Sequence, residues 1–252
     1  MSEEFINDGP VLEGEITKRP LQFFWLVDCS GSMRGKKIAT LNQAIREAVP
    51  EILRALEAHP EVQVMMRAIA FSSSASWHVG PEAVKLEDFT WPPLHADGYT
   101  ATASAIELLL EELDIDKMNR RGFPPVCVLL SDGYCTEPEE QYERAIRKLD
   151  HAPWGKKAVR LVIAIGDGSE YDEQALLRFT NHPEVGVLKA NTPGKLVEYI
   201  KWASVTASVS SSQSKTFYND DEVEGGEGEG ARNVILASAP QSIQIEDANE
   251  VF

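Results

Sequence analysis

Residues 23–33 read FFWLVDCSGSM. The apolar run from Phe23 to Val27 stops at Asp28, and Ser30 and Ser32 follow at alternate positions around Gly31, with RGKKIATLNQAIREAV behind them. Successive side chains of a strand point to opposite faces, so a run that is apolar along its whole length belongs to a strand buried on both sides. Buried strands of this kind occur in parallel sheets with helices on both faces.

The rest of the chain supports that reading. From Gly35 to Leu56, apolar residues at Ile38, Leu41, Ile45, Val49, Ile52 and Leu56 keep helical spacing, and Pro50 is expected to kink or shorten the helix. VQVMMRAIAF (62–71) and the weaker SWHVG (76–80) suit strands at or near a sheet edge. A proline-containing loop, FTWPPLHADGYT, leads into the amphipathic ATASAIELLLEELDI. Then strand, turn and helix alternate: PVCVLL, SDGYCTE, PEEQYERAIRKL; AVRLVIAIG, DGSE, YDEQALLRFT; GVLK, PGKLVEYIKWA. The expected fold is α/β: a doubly wound, Rossmann-like, mainly parallel sheet with helices on both faces.

Length and charge bound the function. A chain of 252 residues with 43% hydrophobic residues can bury one good core, so one domain with extensions is expected. A formal charge of −16 disfavours nucleic acid and anionic membrane surfaces, which need clustered Lys and Arg. The first twenty residues contain no basic stretch followed by an apolar one, and no run approaches the ~18 apolar residues of a membrane span. A soluble, cytoplasmic protein is therefore expected. Cys29, Cys127 and Cys135 lack metal-type spacing and leave an odd thiol, which fits reduced cysteines. After SVSSSQSK, residues 216–252 hold nine acids against Arg232, about half of the net charge, a composition that usually stays disordered. Within this tail, NVILA and SIQI have strand-like character and could dock on a partner or on the domain's own sheet edge.

Doubly wound sheets bind ligands beyond the carboxyl ends of their strands, where strand order reverses. Asp28 and Asp132 each end a predicted strand, and the loop DGYTAT brings Thr100 to the same rim. Asp28, Ser30, Ser32, Thr100 and Asp132 together offer carboxylates and hydroxyls without a histidine or a thiol pair. That donor set suits Mg²⁺ or Mn²⁺ and does not suit zinc.

DCSGSM, GYT and LLSDG, in this order, resemble the three loops of the metal-ion-dependent adhesion site of von Willebrand factor A domains. The resemblance covers about residues 18–205, and the domain is placed at 18–207, between an N-terminal extension (1–17) and a serine-rich, then acidic, largely disordered tail (208–252). PPLHADGYTATASAIELLLEEL and EYIKWASVTASVSSSQSK resemble the bacterial tellurite-resistance TerY branch. The family pattern implies direct hydroxyl ligation by Ser30, Ser32 and Thr100, with Asp28 and Asp132 acting directly or through water. Because neutral hydroxyls leave the cation undercharged, the open position is expected to take an acidic side chain of a partner protein. The branch implies a PP2C-type phosphatase and a Ser/Thr kinase as associated proteins. Cys29 and Ser131 depart from the residues frequent at their positions, and neither is expected to ligate the metal.

Other chemistry fits less well. A dehalogenase-type phosphatase needs a carboxylate where Ser30 stands, and no G-x-S-x-G elbow with a histidine partner surrounds either serine. AIGDGS (164–169) lacks the basic residue of a phosphate loop. His59, His78, His95, His151 and His182 are assigned to solvated surface, with His95 noted for its nearness to Thr100. Cys29, beside the metal loop, could have a lowered pKa, but it is read as a small buried filler. The expected function is a non-enzymatic, metal-dependent protein-interaction module, an adaptor in a kinase and phosphatase system related to tellurite or stress resistance. The alternatives are a subunit coupled to an AAA+ ATPase and a metal-dependent hydrolase.

Overall fold

The computed structural model describes residues 18–132, 135–166, 171–213 and Leu236. The strands are β1 (Arg19–Asp28), β2 (Val62–Phe71), β3 (Ala75–Lys85), β4 (Val126–Ser131), β5 (Val159–Ile165) and β6 (Val187–Ala190). They form one sheet in the order β3-β2-β1-β4-β5-β6, parallel throughout except for the β2–β3 hairpin. The helices are α1 (Lys36–Ala55), α2 (Thr102–Glu112), α3 (Glu139–His151), α4 (Pro153–Lys157), α5 (Glu173–Leu177) and α6 (Pro193–Gln213).

The apolar run of β1 behaves as its composition requires. Phe23, Trp25 and Val27 face one hydrophobic cluster together with Leu41 and Ile45 of α1 and Leu196 and Ile200 of α6. Phe24 and Leu26 face a second cluster with Ile106 and Leu109 of α2 and Ile146 and Leu149 of α3. All five strand residues are fully buried, so one strand nucleates both cores.

Three elements differ from expectation. Helix α1 continues through Pro50 to Ala55, because Pro50 sits on the exposed side and α1 is pinned by Ala48 and Ile52, both fully buried. The stretch expected to be helical from Tyr171 forms only the five-residue α5. Helix α6 runs to Gln213, beyond position 207 where the sequence reading ended the domain, and Ser208 is fully buried within it. Leu236, within the NVILA stretch expected to dock on a partner or on the domain's own sheet edge, is 9% exposed and belongs to the α1–α6 cluster. The extension 1–17 and the remainder of the tail lie outside the described residues. Among the described residues, no helix is long and apolar enough to cross a membrane.

Candidate metal centre

The strand order places β1 between β2 and β4, and the chain winds outward in opposite directions on either side. The crevice between the carboxyl ends of β1 and β4 is therefore the topological switch point. Asp28 is the last residue of β1, and Asp132 directly follows β4. Both are almost fully buried, as are Ser30 and Thr100.

Local hydrogen bonds build the site from this frame. The Ser30 amide donates to Asp28 Oδ1 at 2.8 Å, turning the chain so that both serines face the crevice. Ser30 Oγ lies 3.0 Å from Ser32 Oγ, and Ser32 Oγ donates to Asp132 Oδ1 at 2.7 Å. One chain of oxygens thus links the turn after β1 to the end of β4. Ser131 Oγ donates to Asp28 Oδ2 at 2.6 Å, and Lys37 Nζ of α1 donates to Asp132 Oδ2 at 2.9 Å.

The loop that carries Thr100 is held from two sides. The Gly31 amide donates to the Gly98 carbonyl at 2.9 Å, and the Asp97 amide to the Cys29 carbonyl at 2.8 Å. Gly98 has φ +84°, a left-handed conformation that favours glycine, and a Cβ there would also press on Ser73 Oγ at 2.6 Å. Thr100 is clamped by Thr136, whose amide donates to the Thr100 carbonyl at 2.9 Å and whose Oγ1 accepts from the Thr100 amide at 3.0 Å. Glu137 anchors that segment to the start of α2, accepting from the Ala103 amide and from Ser104 Oγ, each at 2.6 Å. The Thr100 hydroxyl has no hydrogen bond among the described residues.

Burial dominates the electrostatics. The Asp28 carboxyl is raised to about 6 by loss of solvent, against the hydrogen bonds from Ser131 and Ser30 and with a further push from the Asp132 charge. A buried carboxylate in that condition favours a nearby cation. Neighbouring oxygens of a Mg²⁺ octahedron stand about 2.9 Å apart, from metal–oxygen distances of about 2.0–2.1 Å. The Ser30–Ser32 and Ser32–Asp132 separations of 3.0 and 2.7 Å are hydrogen-bond lengths that neighbouring ligands of a small divalent cation could also keep, and the oxygen-only donor set suits such a cation. Among the described residues no group of three or more His, Cys, Asp and Glu is placed to hold a metal ion, so the hydroxyls of Ser30, Ser32 and Thr100 are the remaining side-chain oxygens beside Asp28 and Asp132.

Several readings change with the structure in hand. Cys29 is not a low-pKa thiol: burial, followed by the Asp28 charge, pushes it up to about 11, and Sγ donates to the Phe71 carbonyl. His182 is not on the surface; it is 2% exposed, with Nδ1 2.8 Å from Glu184. His95 is exposed, with no hydrogen bond among the described residues. Sequence reasoning missed Lys37, Thr136 and Glu137 and treated Ser131 as a matter of loop packing. Lys37 resembles any helix lysine in sequence, and only its burial reveals its role. Thr136 and Glu137 were readable only as polar residues following LLSDG.

Residues 24–200 match the von Willebrand factor type A domain. Among solved structures, a von Willebrand factor type A protein from Catenulispora acidiphila is 18% identical with a TM-score of 0.59, covering 75% of this chain and 43% of its own. Proximal thread matrix protein 1 from the mussel byssus, solved with a zinc-occupied MIDAS motif, is 16% identical with a TM-score of 0.53, covering 77% and 47%. The pilus adhesin SpaC from Lactobacillus rhamnosus GG is 14% identical with a TM-score of 0.56, covering 74% and 30%. At these identities the likeness is one of fold, and the chain spans less than half the length of each of these structures. No curated protein matches it.

Proposed function

The chain belongs to the von Willebrand factor type A domain family, and from that premise we propose that it is a non-enzymatic, divalent-cation-dependent protein-interaction module. The observation that carries the reading is the continuous, hydrogen-bonded run of oxygens from Ser30 through Ser32 to Asp132 in the β1–β4 crevice. When bound, Mg²⁺ or Mn²⁺ supplies a Lewis-acidic position that accepts a carboxylate from a partner protein. Ser30, Ser32 and Thr100 hold the cation by hydroxyls; Asp28 and Asp132 offset its charge directly or through water. Ser131 and the Ser30 amide fix Asp28, while Thr136 and Glu137 hold the Thr100 loop in register.

The donor set supports binding over turnover. The Ser30 and Ser32 hydroxyls are engaged with each other and with Asp132, and Cys29 is held as a thiol. The only base beside either serine among the described residues is the Asp132 carboxylate, itself tied to Lys37, and none of His59, His78, His95, His151 or His182 is hydrogen-bonded to these groups. The resemblance of PPLHADGYTATASAIELLLEEL to the TerY branch supports a cytoplasmic adaptor for a PP2C-type phosphatase and a Ser/Thr kinase in a tellurite or stress response. Capture of partners from lysate by the full chain, with Mg²⁺ and with EDTA, tests the proposal. Mg²⁺-dependent recovery of a kinase or phosphatase is expected, and recovery unaffected by EDTA or by Ser30→Ala overturns it.

A further inference from the structure

We propose that residues 11–17 dock as an extended segment in an apolar groove at the end of α1, with Leu12 and Ile16 as the buried anchors. The groove has a volume of about 200 Å³, and its apolar lining comes from Leu53 and Leu56 at the end of α1, Val62 and Val64 of β2, and Leu86 after β3. Val62, Val64 and Leu86 are already buried by the fold, whereas Leu53 and Leu56 are only half-buried against the α1–α6 core. A further apolar side chain laid over these two leucines removes more apolar surface from water, which stabilises the covered state. Arg19 of β1 stands beside Val62 in register, so the groove lies at the amino ends of these strands. The ten-residue length of β1 sets it roughly 30 Å from the candidate metal centre.

The path of the chain into β1 points to this occupant. Lys18 lines the groove, and the Arg19 amide donates to the Glu61 carbonyl at 2.7 Å, so the chain preceding β1 leaves from the groove's own edge. Residues 1–17 lie outside the described residues, but their sequence carries the pattern that the groove requires. In VLEGEIT (11–17), Leu12, Gly14 and Ile16 alternate with Glu13 and Glu15, so an extended segment puts the aliphatic side chains on one side and both carboxylates on the other. Ile16 is two residues from Lys18 and Leu12 is six, and six extended residues reach about 20 Å, enough to carry Leu12 across a hollow of this size. Gly9–Pro10 punctuates the chain just before the segment. The groove is also lined by Glu57 and Glu87, which do not attract Glu13 or Glu15, so burial rather than charge holds the contact and added salt does not weaken it. A tether of a few residues gives this segment a higher effective concentration at the groove than a separate chain has.

A double-mutant cycle on the full chain tests this, with unfolding by urea in EDTA so that the cation site plays no part. Leu12→Ala and Leu56→Ala are each expected to lower the midpoint, and the double variant to lower it by clearly less than the sum, because both changes remove the same contact. Additive losses, or no loss from Leu12→Ala, overturn the docking. Should Leu56→Ala not fold, hydrogen exchange read by mass spectrometry decides. In the unmutated chain the amides of residues 12–17 are expected to exchange on the order of tenfold more slowly than in a free VLEGEIT peptide, and to lose that protection in Leu12→Ala. Exchange at the free peptide's rate overturns the docking. In sedimentation a monomer is expected, and a dimer that Leu53→Ala dissociates would give the groove to a second copy and overturn the contact within one chain.

Discussion

Asp28 shows how a single side chain is shaped by its position. A carboxyl at the buried end of β1 is raised from 3.8 to about 6 although two groups donate to it. Its folded value lies above its unfolded one, so its contribution to stability is fully present below about pH 4 and is lost as pH rises through about 6. Asp28→Asn removes that penalty. In EDTA, its Tm at pH 7 should equal or exceed that of the wild type, and a clearly lower Tm would mean that the carboxylate is structural. The same shift predicts proton competition with metal: Mn²⁺ affinity should fall as pH drops from 7 to 5, approaching tenfold per unit below about 6. Calorimetry at the two pH values gives the answer, and a flat profile would remove Asp28 from the ligand set. Ser131→Ala deletes one donor to Asp28, so it should also weaken Mn²⁺, with little change in fold because Ser131 Oγ is a small group at a strand end.

Elements decide which local rules win. Pro50 lies inside α1, where it lacks an N–H for the carbonyl of Arg46, yet the helix continues because Ala48 and Ile52 are buried against the sheet. Tertiary packing here outweighs a propensity cost of about 3 kcal/mol. Pro50→Ala should return part of it, raising Tm by several degrees in a scan of the purified chain. An unchanged or lower Tm would show that the proline is matched to its surroundings. In β1, Trp25 is fully buried and packs edge-to-face on Phe23, Phe89 and Trp91. Trp25→Ala should cost about 3–5 kcal/mol, read from the urea midpoint. The loop carrying Phe89 and Trp91 is thereby welded to the core just upstream of Thr100.

At the scale of the whole molecule, two cores lie on opposite faces of one sheet, and both reach the strand ends that carry the site. The α1–α6 core also includes Leu236, 23 residues beyond the end of α6. Ending the chain after Gln213 should therefore destabilise the domain by roughly 2 kcal/mol, the value of burying one leucine. Chemical denaturation of the shortened and full chains compares them directly. Equal stability would show that Leu236 adds no net packing energy.

The sequence by itself determined the class of fold and singled out the oxygens proposed to hold a metal. Phe23 to Val27 can be buried only on both sides of a sheet, and Asp28, Ser30 and Ser32 follow so closely that local geometry alone presents them together. Helix periodicity likewise located α1, α2, α3 and the start of α6. Tertiary structure decided the rest. The partners of these oxygens lie far along the chain: Ser131 reaches Asp28 across 103 residues, and Lys37 reaches Asp132 across 95. Pattern reading covers a few residues, whereas such pairs depend on which strands become neighbours. Burial made the same difference for Cys29, whose thiol is pushed up by lost solvent, and for His182. Whether a side chain meets water is set by what folds over it, and composition carries no record of that.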